Sequence, residues 1–276
     1  MGTAEVVLYE SKDGVATLTL NRPERMNAIT PEMEIRYFDL LERAGRDPDV
    51  RVVVVTGAGR GFCAGFDMEA LRGLGEGERA ATSGKPQTFP LTIPKPILAA
   101  INGSCAGLGL VWALMADLRF AAAATKFTTA FVRRGLIAEH GSSWVLPRLV
   151  GHSRALDLLL SGRVFLSEEA FEMGLVNRVV PAESLLQQTL EYARDLAVNC
   201  SPASMAAMKW QIYRHWDLDA GRSLEESNRI MARTLLSPDF REGVRSYLEK
   251  RPPRFPAVAA GPGETPLTEG IGRQRP

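Results

Sequence analysis

The chain has 276 residues, 45% of them hydrophobic and 24% charged, which is enough apolar material for one large globular unit with an appendage. Its formal net charge is +1, with 33 basic residues scattered among 32 acidic ones, and no apolar run reaches membrane-spanning length, so neither a nucleic acid nor a membrane is an expected partner. The three cysteines, Cys63, Cys105 and Cys200, lack metal-ligand spacing and are odd in number, which argues against a metal site or a disulfide framework and for a reducing, cytoplasmic setting.

Val6 to Tyr9 and Val15 to Leu20 read as strands joined at the Asp13-Gly14 turn. Thr30-Pro31-Glu32 supplies an N-cap, a first-turn proline and an acid before the apolar spacing Met33, Tyr37, Leu40, Leu41, which predicts a helix ending near Gly45. Val50 to Val55 is a β-branched run suited to a strand buried on both faces, and it feeds the glycine-rich stretch from Thr56 to Gly61. Leu71 to Pro90 has little periodicity and reads as a mobile helix or loop. Ile97 to Ile101 is a second buried strand, followed by Asn102-Gly103 and a helix from about Gly107 to Met115. Leu118 to Ala124, Phe127 to Thr129 and Val176 to Val180 are further strands, with Trp144 to Leu149 and Ala155 to Leu160 helical. After Pro181 the character becomes helical, with starts at Ser201-Pro202, at a capping box from Ser223 to Glu226, and at Ser237-Pro238. The expected organisation is an α/β core over 1–196, a helical region over 197–255, and a Pro- and Gly-rich tail over 256–276 that stays disordered unless another subunit covers it.

Two motifs invite a functional reading and fail it. Gly59-Arg60-Gly61-Phe62-Cys63-Ala64 satisfies a dinucleotide fingerprint, yet Gly65 to Pro90 contains no second strand to carry the ribose-binding acid. Ser104 sits between strand and helix, but its flanks are Asn102 and Ala106 where a nucleophile elbow needs glycines. What remains is a pair of glycine-rich turns, Gly61 to Met68 and Ile101 to Gly109, each after a buried strand. Such turns either pack helix tightly on strand or aim free N–H groups at a substrate oxygen.

In combination these segments resemble the enoyl-CoA hydratase/isomerase, or crotonase, superfamily, from about Val6 to Phe255. The pieces that carry the resemblance are Leu20-Asn21-Arg22-Pro23 with Asn27-Ala28, Gly61 to Asp67, Lys95-Pro96 leading into Ile101-Asn102-Gly103, and Ala116-Asp117-Leu118-Arg119. Leu146 to Gly151 and Ala170 to Val176 follow in the family's order. The resemblance implies a spiral of repeated β-β-α turns, trimerisation through the C-terminal helices as a homotrimer or a dimer of trimers, and an acyl-CoA substrate with no separate cofactor. It places oxyanion-hole N–H donors at Ala64 and Leu108. Coenzyme A contacts fall at Arg25, Met26 and Ala28, with Gly65, Phe66 and Asp67 of the adjoining turn also facing the substrate. Phe66 replaces the small residue common there, which would narrow the acyl pocket or turn a ring into the core.

The family's hydratases divide proton transfer between two glutamates. Here the matching positions are Val111 and Phe131, neither able to move a proton; a third position, used by some isomerases, falls on Glu139. Val111, Phe131, His140 and Trp144 are the acyl-pocket candidates. One carboxylate, Glu139, can carry a proton between C2 and C4 while two N–H groups hold the enolate, which fits isomerisation better than hydration; the expectation is a hydratase/isomerase-type enzyme of fatty acid metabolism. Acyl-CoA hydrolysis, C–C bond cleavage and a non-catalytic acyl-CoA-binding protein are the alternatives.

Overall fold

The computed structural model describes residues 5–72, 82–258, 261–263 and 265–271. Val7–Lys12 (β1) and Val15–Leu20 (β2) pair antiparallel, and the left-handed φ of Asp13 and Gly14 closes the tight turn between them. Pro31–Arg46 (α1) starts where expected, the Thr30 hydroxyl accepting the Met33 N–H at 3.2 Å. A unit of long strand, short strand and helix then repeats. Its members are Val52–Gly57 (β3), Gly61–Cys63 (β4) and Met68–Arg72 (α2), then Ile97–Ile101 (β5), Ser104–Ala106 (β6) and Leu108–Leu114 (α3). Leu118–Ala122 (β7), Lys126–Thr128 (β8) and Ser142–Val150 (α4) form the third. His152–Ser161 (α5), Phe165–Leu166 (β9), Ser167–Glu172 (α6), Arg178–Val180 (β10) and Leu185–Asn199 (α7) complete the core.

The long strands assemble as a six-stranded sheet in the order β1-β2-β3-β5-β7-β10, and the short ones as a second sheet, β4-β6-β8-β9. The chain thus steps from one sheet to the other and back through a helix, the α/β spiral the resemblance implied. Strand β3 is buried along its whole length because both faces of its sheet are covered. Val52, Val54, Leu98 and Ala100 meet Ala193 and Ala197 of α7, while Val53, Val55 and Ala99 belong to the main core with α1 and α3.

Pro202–His215 (α8), Ala220–Thr234 (α9) and Pro238–Leu248 (α10) follow. Helix α9 starts four residues before the expected capping box, because Asp219 accepts the Arg222 N–H at 2.9 Å and leaves Ser223 inside the first turn. Helix α8 is tied to the core by a buried cation. Lys209 Nζ donates to Asp117 Oδ2 at 2.8 Å, Pro90 O at 3.0 Å and Lys95 O at 3.1 Å, while Tyr213 donates to Asp117 Oδ1 at 2.9 Å. The tail differs from the expectation of disorder in the residues described. Leu267 and Ile271 are buried against Ala203, Ala207 and Ile230, and Arg233 Nη1 donates to the carbonyls of Leu267 and Glu269. Two large apolar side chains in a Pro- and Gly-rich segment suffice to seat it on α8 and α9.

Candidate active site

The site forms where the loop Arg22–Ala28 lies against the turn after β4. Met26 and Asn27 both hold left-handed φ, 51° and 55°, an uncommon pairing for non-glycine residues. Asn27 compensates: fully buried, it donates through Nδ2 to Gly61 O at 2.8 Å and Ala58 O at 3.0 Å, and accepts the Arg22 N–H at 2.8 Å. This lock aims the Met26 carbonyl at the turn, where it accepts the Ala64 N–H at 3.0 Å.

That bond corrects the expected donor: the Ala64 N–H is occupied. The next part of the turn forms a parallel bridge, Ile29 with Phe66, in which Ile29 N–H donates to Gly65 O and Asp67 N–H to Ile29 O, each at 2.8 Å. In such a bridge the flanking residues make the bonds and the central residue's own N–H points the other way. The Phe66 N–H therefore faces away from Ile29 and has no acceptor among the described residues. The Phe66 ring, partly buried, packs on the main core.

The second turn is built on a helix start. Strands β4 and β6 pair in parallel, Cys63 opposite Cys105, so the turns that follow them lie side by side. Gly107 N–H donates to Thr128 O at 3.1 Å, and Leu108 opens α3, so its N–H falls in the first turn, where a helix has no internal acceptor. It too has no acceptor among the described residues. Gly65, at φ 98°, faces this point: a Cβ there would stand 3.5 Å from Leu108 N and 3.0 Å from Ala106 O.

Of the other expected residues, Asp67 is engaged by Arg22 at 3.0 Å and by the N–H groups of Glu69 and Ala70. Burial would raise its carboxyl pKa, but Arg22 and those N–H groups outweigh it and hold the pKa below the usual value. Arg22 also donates to Ala28 O, and Arg25 reaches Glu69 at 2.6 Å. Val111 and Phe131 are buried in the main core. Trp144 packs on that core and meets Trp216 edge-on at 4.8 Å, with Arg148 over its ring.

Glu139 precedes α4 on a segment bent by His140 at φ 57° and Gly141 at φ 82°. Its carbonyl accepts from Ser142 N–H and hydroxyl, at 3.0 and 2.7 Å, which fixes the backbone. Its carboxylate, 31% exposed, has His140 Nε2 at 3.9 Å and makes no hydrogen bond among the described residues. A Cβ on Gly141 would lie 2.9 Å from Thr88 Cγ2 and 3.5 Å from Met115 Cε, so this segment abuts the end of α3 whose start carries the Leu108 N–H. Thr88 follows Gln87, which accepts from Trp112 Nε1 at 2.7 Å and donates to buried Glu34 at 3.1 Å. Composition gave no signal for this Gln87 anchor. The expected mobile stretch beginning at Leu71 lies, over 73–81, outside the described residues.

Neither buried cysteine is a nucleophile. Burial pushes the Cys63 thiol up to about 12 and Cys105 well above its ordinary value. Both thiols should stay unmodified by an aromatic disulfide reagent at pH ~8 in the folded enzyme and react on unfolding. The unfolded chain releases these thiol protons above pH ~9 while the folded one keeps them, so rising pH favours unfolding, and Cys63→Ala should flatten that limb of a stability-pH curve.

The sequence model for enoyl-CoA hydratase/isomerase matches residues 10–257. Among curated relatives, 1,2-epoxyphenylacetyl-CoA isomerase of Escherichia coli is 37% identical over 261 residues, covering 91% of this chain and 98% of its own. A probable enoyl-CoA hydratase of Rhodobacter capsulatus is 38% identical, covering 90% and 97%. Among solved structures, a probable enoyl-CoA hydratase/isomerase from Mycobacterium abscessus superposes with a TM-score of 0.85 at 33% identity, over 91% of this chain and 99% of that one. The repeated β-β-α spiral, the facing glycine turns and the match across nearly the whole chain place this protein in the enoyl-CoA hydratase/isomerase family of enzymes.

Proposed function

We propose that the protein isomerises an unsaturated acyl-CoA thioester through an enolate. The thioester oxygen is held by the N–H groups of Phe66 and Leu108, and the Glu139 carboxylate removes a proton at C2 and returns it at C4. The observation that carries this reading is that two N–H groups with no acceptor among the described residues lie beside Gly65, while the Glu139 carboxylate, with only His140 near it, sits on the segment that abuts the far end of α3. Donors fixed by β-pairing and a helix start do not reorganise as negative charge develops on the oxygen, which is what makes such a hole effective. With Val111 and Phe131 buried and apolar, no second carboxylate stands at those positions to activate water, so a proton shift fits better than hydration.

Glu139→Gln is expected to lower kcat by at least ~100-fold on a 3-enoyl-CoA substrate, followed by formation of the conjugated thioester; near-normal turnover would refute the assignment. Free thiol release in the same assay would favour hydrolysis. The loop Arg22–Ala28 is the coenzyme A contact in this reading, and the exposed apolar residues Leu236, Tyr247 and Leu248 are where copies of the chain meet as a trimer. Sedimentation of a Tyr247→Glu variant as a smaller species than the parent checks the second point.

A further inference from the structure

A coenzyme A thioester brings phosphates to the mouth of the site, and few cations are there to meet them. Arg22 is half-buried and committed to Asp67 and Ala28 O. Arg60 is exposed with its Nε 3.2 Å from Met26 Sδ. Arg25 is also exposed, but it is not free: its Nη2 lies 2.6 Å from Glu69 Oε2 and 3.8 Å from Asp67 Oδ1. Asp67 is already satisfied by Arg22 and by two backbone N–H groups. Glu69 has no such duty. Its carboxylate is 74% exposed, sits in the first turn of α2, and has Arg25 as its partner among the described residues. The ion pair therefore joins the loop that faces coenzyme A to the helix that follows the Phe66 turn.

We propose that Glu69 is a built-in competitor for the phosphates of the substrate: it holds Arg25 across the mouth of the site and is displaced when a phosphate takes its place. The inference rests on the reading of the loop Arg22–Ala28 as the coenzyme A contact. Glu69 then sets the affinity for the nucleotide end of the substrate and leaves the proton transfer alone. An exposed pair of this kind is weak and screened by salt, so a doubly charged phosphate displaces it, and its removal changes affinity by at most about five-fold. A solvated ion pair with no such role predicts no selective effect.

The test compares the full-length parent, Glu69→Gln and Arg25→Ala on two substrates, an enoyl-CoA thioester and the same acyl group on pantetheine, which lacks the phosphates. Glu69→Gln is expected to lower KM for the CoA thioester about two- to five-fold, with the effect on KM and not kcat, absent for the pantetheine thioester and reduced at ~0.5 M salt. Arg25→Ala should raise KM for the CoA thioester alone. If Arg25→Ala does so while Glu69→Gln leaves KM unchanged or raises it, the competitor role is overturned and the loop assignment stands. Equal shifts on both substrates overturn it too. If Arg25→Ala has no effect, the assignment of Arg25 to coenzyme A fails with it.

Discussion

Replacing Gly65 with alanine is expected to cut kcat by about 10²- to 10³-fold, the scale for losing an oxyanion-hole donor. The added methyl would stand 3.0 Å from Ala106 O and 3.5 Å from Leu108 N, in the space proposed for the thioester oxygen. Alanine also resists the φ of 98° held by this residue, so the turn would rotate and carry the Phe66 N–H out of line. Gly65 is buried but lies in a turn outside the long strands, so the variant should keep its fold. A circular dichroism spectrum like the parent's beside the lost turnover is the expected pair of results. A sharper version replaces the Phe66 amide with an ester, which deletes the N–H alone. The same change at Ala64, whose N–H is bonded to Met26 O, should alter stability more than turnover.

Lys209→Met should destabilise the protein by about 3–5 kcal/mol, the cost of leaving a buried charge without its partner. The ammonium of Lys209 is almost wholly enclosed, and burial drives its pKa down against the pull of Asp117. Removing it leaves the Asp117 carboxylate with the Ile97 N–H at 2.7 Å and the Tyr213 hydroxyl, but with no cation, and frees the carbonyls of Pro90 and Lys95. Thermal denaturation should show a midpoint lower by roughly 10 °C, given about 2–4 °C per kcal/mol for a chain of this size. Adding Asp117→Asn should recover part of the loss, because the orphaned charge is then gone. No recovery would mean that the lysine acts through its packing.

The long, β-branched strands were legible because burial on both faces leaves a continuous apolar run, as in Val52 to Val55. Of the second sheet only β8 was legible, as Phe127 to Thr129. Strands β4 and β6 have three residues each, too few to show a period, and they exist because the turns bring Gly61 to Ser104 and Cys105 to Phe127. The start of α9 was misplaced for a related reason: Asp219 and Ser223 are both sound caps, and packing chose between them. The two glycine turns of the candidate site could be read from residue order, as could Glu139 as the carboxylate proposed to act there. Which N–H on the first turn is free could not, because that depends on the Met26 carbonyl, delivered from a loop far upstream by two left-handed residues and a buried asparagine.

The anchor at Gln87 bears on how such an enzyme can change over generations. Because Gln87 is fastened to α1 through Glu34 and to α3 through Trp112, and Thr88 rests on Gly141, the chain upstream of it ends at a fixed post. Losing either bond of Gln87 would therefore loosen α1, α3 and the contact of Thr88 with Gly141 together, so Glu34, Gln87 and Trp112 should be inherited as a set.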